Sequence, residues 1–244
     1  MNYGVILASG SGTRMKGINV PKQYYEIDDK PIIIYTLESL LNSNLFDCIY
    51  IAINKEYYDL VSNYLSKFIS TDSLNKIKIV FGGKERIDTI HNVINEISKN
   101  NISSNDVIVI HDAVRPLVTN KILKDSIESA RKYGAVVATV PASDTMLMSN
   151  TGDYVDSIPE RRTLYKGQAP DSFILEKFIE LENKLTDEQK SKIVGTSQIC
   201  TMNNYPIKMI EGDEINFKVT TDSDLAMLKN IILSRKKNKN EKKY

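Results

Sequence analysis

Short apolar runs alternate with amphipathic helical stripes through the first half of this 244-residue chain, and that alternation limits the fold more than composition does. Val5–Leu7, Cys48–Ile53, Ile77–Phe81, Val107–Ile110 and Ala135–Val140 are each too short to be helices. Most lack the polar alternation of a sheet with one wet face, so they read as strands buried on both sides. Between them, Pro31 opens a helix carrying Ile32, Ile33, Tyr35, Thr36, Leu37, Leu40 and Leu41 at helical spacing. Further helices are predicted over Glu56–Phe68, along the stripe Ile87, Ile90, Ile94, Ile97, and over Ile122–Tyr133. Strands alternating with helices imply an α/β fold: a Rossmann-like, mostly parallel sheet with helices on both faces. Val107–Ile110 is the most apolar run and is expected at the centre. Ligands of such sheets bind beyond the carboxyl ends of the strands, so the residues that follow each run are the candidates for function.

Three of those junctions are chemically loaded. After the first strand, Leu7-Ala8-Ser9-Gly10-Ser11-Gly12 leads to Arg14, Lys16 and Pro21-Lys22-Gln23, a glycine-rich turn that brings backbone amides and cations to an anion. A dinucleotide fingerprint would need glycine at Met15, and a P-loop would need Ser or Thr where Glu85 follows Gly83-Lys84, so neither motif applies. After the third strand, Gly82-Gly83-Lys84-Glu85-Arg86-Ile87-Asp88-Thr89 reads in two ways. It is either a nucleotide-holding loop with Arg86 facing phosphate, or an ordinary turn with an acid near a helix start. After the central strand, His111-Asp112-Ala113-Val114-Arg115-Pro116 offers a carboxylate for Mg²⁺ or a ribose hydroxyl and a guanidinium for a second phosphate. An Asp112–Arg115 ion pair closing the turn is the alternative. His91, beside an isoleucine stripe and without a second ligand at metal spacing, reads as packed or half-exposed.

The net charge of +1 gives no general field for nucleic acid or membrane, so anion binding has to come from locally placed cations. Cys48 and Cys200 form no disulfide framework, and no leader or membrane span is apparent, so a cytoplasmic protein is expected. A single domain over residues 1–244 is expected. From 143 to 164 the period breaks into a polar hairpin with a turn signal at Asn150–Asp153, read as a projecting arm that needs a partner subunit to cover it. Phe173–Leu185 is predicted helical, and Glu211–Lys218 is predicted as a strand running into a helix capped by Thr221 or Asp222. Residues 236–244 are predicted as a disordered basic tail.

Five segments in order, GSGTRM with PKQ, GGKER-x-D, HDAVRP, the Asp144-Thr145 pair and NFKVTT, resemble the CTP:alditol-phosphate cytidylyltransferases of the methylerythritol phosphate and ribitol phosphate type. The resemblance spans nearly the whole chain. It implies a nucleotide-diphospho-sugar transferase fold, a homodimer built through the arm, and Mg²⁺-dependent attack of an alditol phosphate on CTP. Carried over by position, Arg14 and Lys22 would stabilise the triphosphate, while Arg161 and Lys218 would orient the attacking phosphate. CTP would lie against Leu7, Ala8, Ser9, Gly10, Ser11, Gly12, Gly82, Gly83, Arg86, Asp88, Thr89, Asp112 and Ala113, and the acceptor against Asp112, Arg115 and Thr145. Leu7-Ala8-Ser9-Gly10 and Leu185–Lys190 are similar to the ribitol phosphate enzymes, so D-ribitol 5-phosphate, giving CDP-ribitol and diphosphate, is the expected acceptor. 2-C-methyl-D-erythritol 4-phosphate is the alternative, and Ala169 and Gly195–Cys200 depart from both types. A non-catalytic nucleotide-binding subunit is a further alternative, opposed by the joint presence of Arg14, Lys22, Arg161 and Lys218.

Overall fold

The computed structural model describes residues 1–10 and 20–241, with side chains through Lys237. Strand β1 (Asn2–Ala8) is followed by a 3₁₀ turn at Lys22–Tyr24 and a two-strand ribbon, β2 (Glu26–Ile27) and β3 (Lys30–Pro31). Helix α1 (Ile32–Asn42) crosses to β4 (Cys48–Ile53), and α2 (Tyr58–Phe68) with the one-turn α3 (Thr71–Leu74) crosses to β5 (Ile77–Phe81). Helix α4 (Arg86–Ile97) returns the chain to β6 (Val107–Asp112), on the other side of β1. Helix α5 (Asn120–Tyr133) and β7 (Ala135–Pro141) precede the arm. After it come β8 (Tyr165–Ile174), α6 (Leu175–Asn183), α7 (Asp187–Ser191), α8 (Gln198–Met202), β9 (Lys208–Glu211) and α9 (Asp222–Glu241).

The seven strands lie in the order β5-β4-β1-β6-β8-β7-β9. Neighbouring pairs are parallel except where β8 meets β6 and β7, so β8 alone runs against the rest. Chain order reverses between β1 and β6, which opens a crevice at their carboxyl ends. The most apolar run, Val107–Ile110, is indeed the middle strand and is buried along its whole length.

Alternate residues of each strand serve opposite faces, as the two-residue period requires. Ile6, Ile51 and Val109 join one core layer with Leu37 and Leu40 of α1, Val61 of α2 and Leu123 of α5. Val5, Tyr50 and Ile108 join the other, with Ile90, Val93 and Ile94 of α4 and Phe178 of α6. Each such side chain, fully buried, contributes about 1.5–3 kcal/mol relative to exposure. A third cluster, of Ile27, Ile32, Val114, Leu117, Val219, Leu228 and Ile232, pins α9 against the ribbon and the turn after β6. Helix α5 stops at Gly134, whose φ of 85° belongs to the left-handed region that only glycine enters freely.

Four expectations are corrected. Phe173 belongs to β8 and the helix begins at Leu175, because pairing with β6 on one side and β7 on the other holds 165–174 extended despite its polar residues. Glu211–Lys218 is not a strand: β9 ends at Glu211 and the chain to Asp222 is irregular, tied back by Gln168 Nε2 donating to Asp213 O at 2.8 Å. Residues 236–241 continue α9 where disorder was expected. Lysine and glutamate there are good helix formers, and Lys236 pairs with Asp28; residues 242–244 lie outside the described ones. Where two alternating hairpin segments were expected, the arm folds back on itself through a single antiparallel bridge, Met148 to Ser157, and its mostly polar sequence also exposes apolar side chains: Leu147, Tyr154 and Ile158 are 57, 81 and 62% exposed.

Candidate active site

The crevice at the carboxyl ends of β1 and β6 is a cavity of about 600 Å³, within the range typical of small-molecule sites. Its floor is Leu7 and Ala8 at the end of β1, and its rims are Ser9-Gly10 with Lys22 and Gln23 on one side and Gly83–Arg86 with Thr89 on the other. Asp112, Ala113, Val114 and Lys218 close the back. Ser11, Gly12, Arg14 and Lys16 lie outside the described residues.

The two rims are locked together. Gln23 Nε2 donates to Ala8 O and Gly10 O, each at 2.8 Å, fixing the start of the first loop. Thr89 Oγ1 accepts from Gly83 N at 3.0 Å, donates to Glu85 O at 3.1 Å, and lies 3.1 Å from Ser9 Oγ across the crevice. A Cβ on Gly82 would collide with the Ser9 side chain, so glycine is required there for close approach and not for a left-handed turn. Asp88, expected at the nucleotide, is used locally: its Oδ2 accepts from Glu85 N at 2.9 Å as half of a capping box at the start of α4, and it does not line the cavity.

The electrostatic centre is Asp112. Its Oδ1 lies 3.1 Å from Arg86 Nη1, and its Oδ2 lies 3.2 Å from Arg115 Nε and 3.1 Å from Lys218 Nζ. Burial alone pushes the carboxyl upward, but Arg86, Lys218 and Arg115 outweigh it and hold it well below the usual carboxylate range. Around Asp112 itself, three cations against one carboxylate make the cluster locally positive, with Asp171 a second acid in the smaller cavity. The expected Asp112–Arg115 ion pair is therefore present, but as one arm of a larger cluster. Arg115 Nη1 donates to Asn216 O at 2.7 Å, so part of its fork braces the 212–221 segment. His111 completes the turn: its Nε2 lies 3.0 Å from Arg115 O, and burial pushes the ring down to about 4, which keeps it neutral and makes Nε2–H the donor.

A second cavity of about 210 Å³ adjoins the first and shares Arg86, Asp112 and Lys218 with it. Arg115, Gly167, Gln168, Ala169, Asp171, Gly195 and Ser197 also line it. Ala169, Gly195 and Ser197 belong to the stretches that depart from both family types, whereas Gln168 and Asp171 were not singled out from the sequence. A buried acid in a strand is a usable signal, but with the helix expected from Phe173 no strand was assigned across Asp171.

Arg161 and Thr145 stand apart. Both are exposed in the arm, Arg161 Nη1 donates to Ser143 O at 3.3 Å, and neither lines either cavity of its own chain. His91 is half-exposed, with Nδ1 2.9 Å from buried Glu182. Cys200 is buried, Cys48 is half-buried, and both are free. Among the described residues no three His, Cys, Asp or Glu side chains cluster to hold a metal, and no helix is long and apolar enough to cross a membrane.

Residues 3–235 match the family model for 2-C-methyl-D-erythritol 4-phosphate cytidylyltransferase, IspD. Among solved structures, the chain is similar to the 4-diphosphocytidyl-2C-methyl-D-erythritol synthase of Anaerococcus prevotii, with 24% identity, 96% of each chain covered and a TM-score of 0.76. It is also similar to the Francisella tularensis 2-C-methyl-D-erythritol 4-phosphate cytidylyltransferase, with 25% identity, 93% of this chain and 97% of the other covered, and a TM-score of 0.77. The Thermus thermophilus protein of the same name, at 18% identity and a TM-score of 0.71 over 95% of this chain and 98% of the other, shares the fold. With a sheet of the nucleotide-diphospho-sugar transferase type and a match over nearly its whole length, the chain belongs to the 2-C-methyl-D-erythritol 4-phosphate cytidylyltransferase family and is a CTP-using nucleotidyltransferase.

Proposed function

We propose that the protein transfers the cytidylyl group of CTP to 2-C-methyl-D-erythritol 4-phosphate, releasing diphosphate. The observation that carries this reading is the pair of adjoining cavities, one of nucleotide size and one of polyol size, meeting at Arg86, Asp112 and Lys218. CTP occupies the larger one, its triphosphate against Ser9-Gly10 and Lys22 and its cytidine against the Gly83–Thr89 rim, with Arg14 added from the first loop. The acceptor reaches in from the smaller one, its phosphate beside Lys218. In-line displacement at phosphorus asks mainly for positioning and charge stabilisation, and a dianion approaching a triphosphate is strongly repelled unless cations lie between them. Lys218, held by Asp112 at 3.1 Å, stands where the two cavities join. Losing one such preorganised donor costs roughly 3–4 kcal/mol of barrier.

Mg²⁺ suits this site as a companion of CTP. Among the described residues Asp112 and Glu85 line the larger cavity and Asp171 the smaller, with no three-ligand cluster, which fits a metal that is bound mostly through substrate phosphates and water. Such an ion would neutralise charge on the triphosphate. We also read the chain as one domain, 1–244, that acts as a homodimer: the exposed apolar side chains of the arm call for a covering surface, and Arg161 on that arm would complete the partner's acceptor site.

D-Ribitol 5-phosphate is the second reading, favoured by Leu7-Ala8-Ser9-Gly10 and by Leu185–Lys190. Diphosphate release from CTP and Mg²⁺ with each alditol phosphate decides between them. A higher kcat/KM for ribitol phosphate would replace the first acceptor, and no release with any acceptor would remove the enzyme reading.

A further inference from the structure

Asp171 has no part in the scheme above. It sits on β8, is 8% exposed, and lines the smaller cavity together with Arg86, Arg115 and Lys218. Burying a carboxyl is costly unless it finds partners. Those it has are modest: the Thr196 hydroxyl and the Ser197 amide favour its charged form, as does Arg86, whereas Asp112 opposes it. Arg115 and Lys218 line the same cavity but are paired with Asp112. Cys200, on α8, has its thiol pushed up first by burial and then by the nearby Asp171 charge. The β8 ladder itself does not need an acid here, and on the protein side the Thr196 hydroxyl and the Ser197 amide are what tie the carboxyl down. The neighbouring Ser172 and Phe173 carry the packing of β8: Ser172 bonds Ser126, and Phe173 stacks at 4.7 Å on Phe178.

The cavity holds about seven water volumes at ~30 Å³ each, which is room for a short polyol but not for a nucleoside. Resting on the reading that an alditol phosphate enters here, we propose that Asp171 is a specificity-determining residue, its carboxylate accepting hydrogen bonds from hydroxyl groups at the end of the acceptor remote from the phosphate. The chain thereby selects among alditol phosphates by the hydroxyls they present at that depth. A buried carboxylate left without those donors penalises a deoxy analogue, whereas a contact built on packing alone discriminates little.

Burial, with Asp112 adding to it against the pull of Arg86, Thr196 and Ser197, pushes the Asp171 carboxyl up to about 7. Since the ionised form is the acceptor of hydrogen bonds, kcat/KM for the alditol phosphate should climb as pH rises through about 7. The second ionisation of the substrate phosphate, at about 6, remains as a separate limb.

The test compares the wild type with Asp171→Asn and Asp171→Ser, using CTP, Mg²⁺ and two acceptors, the alditol phosphate the wild type uses best and its analogue lacking the terminal hydroxyl. In both variants kcat/KM for the full acceptor should fall about ten- to hundredfold, the preference over the deoxy analogue should shrink by a similar factor, and the limb near pH 7 should vanish. KM for CTP and the unfolding midpoint in CTP should stay near wild type, which shows that the fold is intact. Should one variant fail to fold, the other supplies the same comparison. The pH profile and the deoxy penalty of the wild type stand without any variant. An unchanged acceptor preference in a folded variant overturns the proposal, as does a wild type indifferent to the deoxy change or one whose activity climbs toward acid. A wild type inactive with every alditol phosphate instead overturns the functional reading beneath it.

Discussion

Asp112→Asn is the most informative perturbation, because one carboxylate holds three cations in place. The substitution keeps the shape but removes the charge facing Arg86, Arg115 and Lys218 at 3.1, 3.2 and 3.1 Å. Arg115 is buried, Arg86 is partly so, and the Lys218 side chain is 34% exposed, so the penalty comes chiefly from the two arginines. Leaving buried charge uncompensated costs about 3–5 kcal/mol, which at about 2–4 °C per kcal/mol for a chain of this size lowers the unfolding midpoint by roughly 6–20 °C. The carboxyl titrates lower in the folded protein than in the unfolded chain, so its contribution is full at neutral pH and fades as pH falls below about 4. The gap between variant and wild type should narrow over that window. The freed cations should also bind anions more tightly, and each tenfold gain in CTP affinity returns about 1.4 kcal/mol of stability at saturating ligand. Turnover should nevertheless fall, since Lys218 loses the partner that positions it. Chemical unfolding with and without CTP, across pH 3 to 8, measures all of this. A variant of wild-type stability, or one that CTP stabilises no more than the wild type, would refute the idea that Asp112 is the internal counter-ion of an anion site.

Three further outcomes are expected. Gly82→Ala should drive the Ser9 and Thr89 rims apart and weaken CTP binding at least about tenfold in calorimetry while the protein remains folded; unchanged affinity would mean that the rims do not grip the nucleotide. Lys218→Ala should leave CTP affinity within a few-fold of wild type yet lower turnover with the acceptor by roughly two orders of magnitude, and loss of CTP binding with normal acceptor binding would reverse its assignment. Replacing 144–163 by a short linker should yield a folded, inactive monomer in sedimentation, and an active monomer would show that the arm neither joins subunits nor delivers Arg161.

Much of the architecture and the first cavity could be read from residue order alone. Val5–Leu7, Cys48–Ile53 and Val107–Ile110 announce buried parallel strands because local hydrophobicity and strand length survive any tertiary context, and sheet geometry then directs the residues after them to one crevice. Ser9, Gly83, Arg86, Thr89 and Asp112 were named in that way, Lys218 through the family resemblance, and they meet there. Asp88 takes the alternative that was read beside the nucleotide one, an acid at a helix start, capping α4 three residues from Glu85, and local pattern alone does not choose between the two. What only the tertiary structure decided is long-range pairing. β8 is extended because β6 and β7 flank it, the 212–221 segment is irregular because Gln168 and Arg115 tie it down, and Asp112 gathers cations from positions 86, 115 and 218. The same folding places Asp171 beside that cluster. A carboxylate's chemistry depends on which charges surround it within a few ångströms, and those neighbours come from helices and loops far apart in the chain, so sequence names the groups while the fold sets their state.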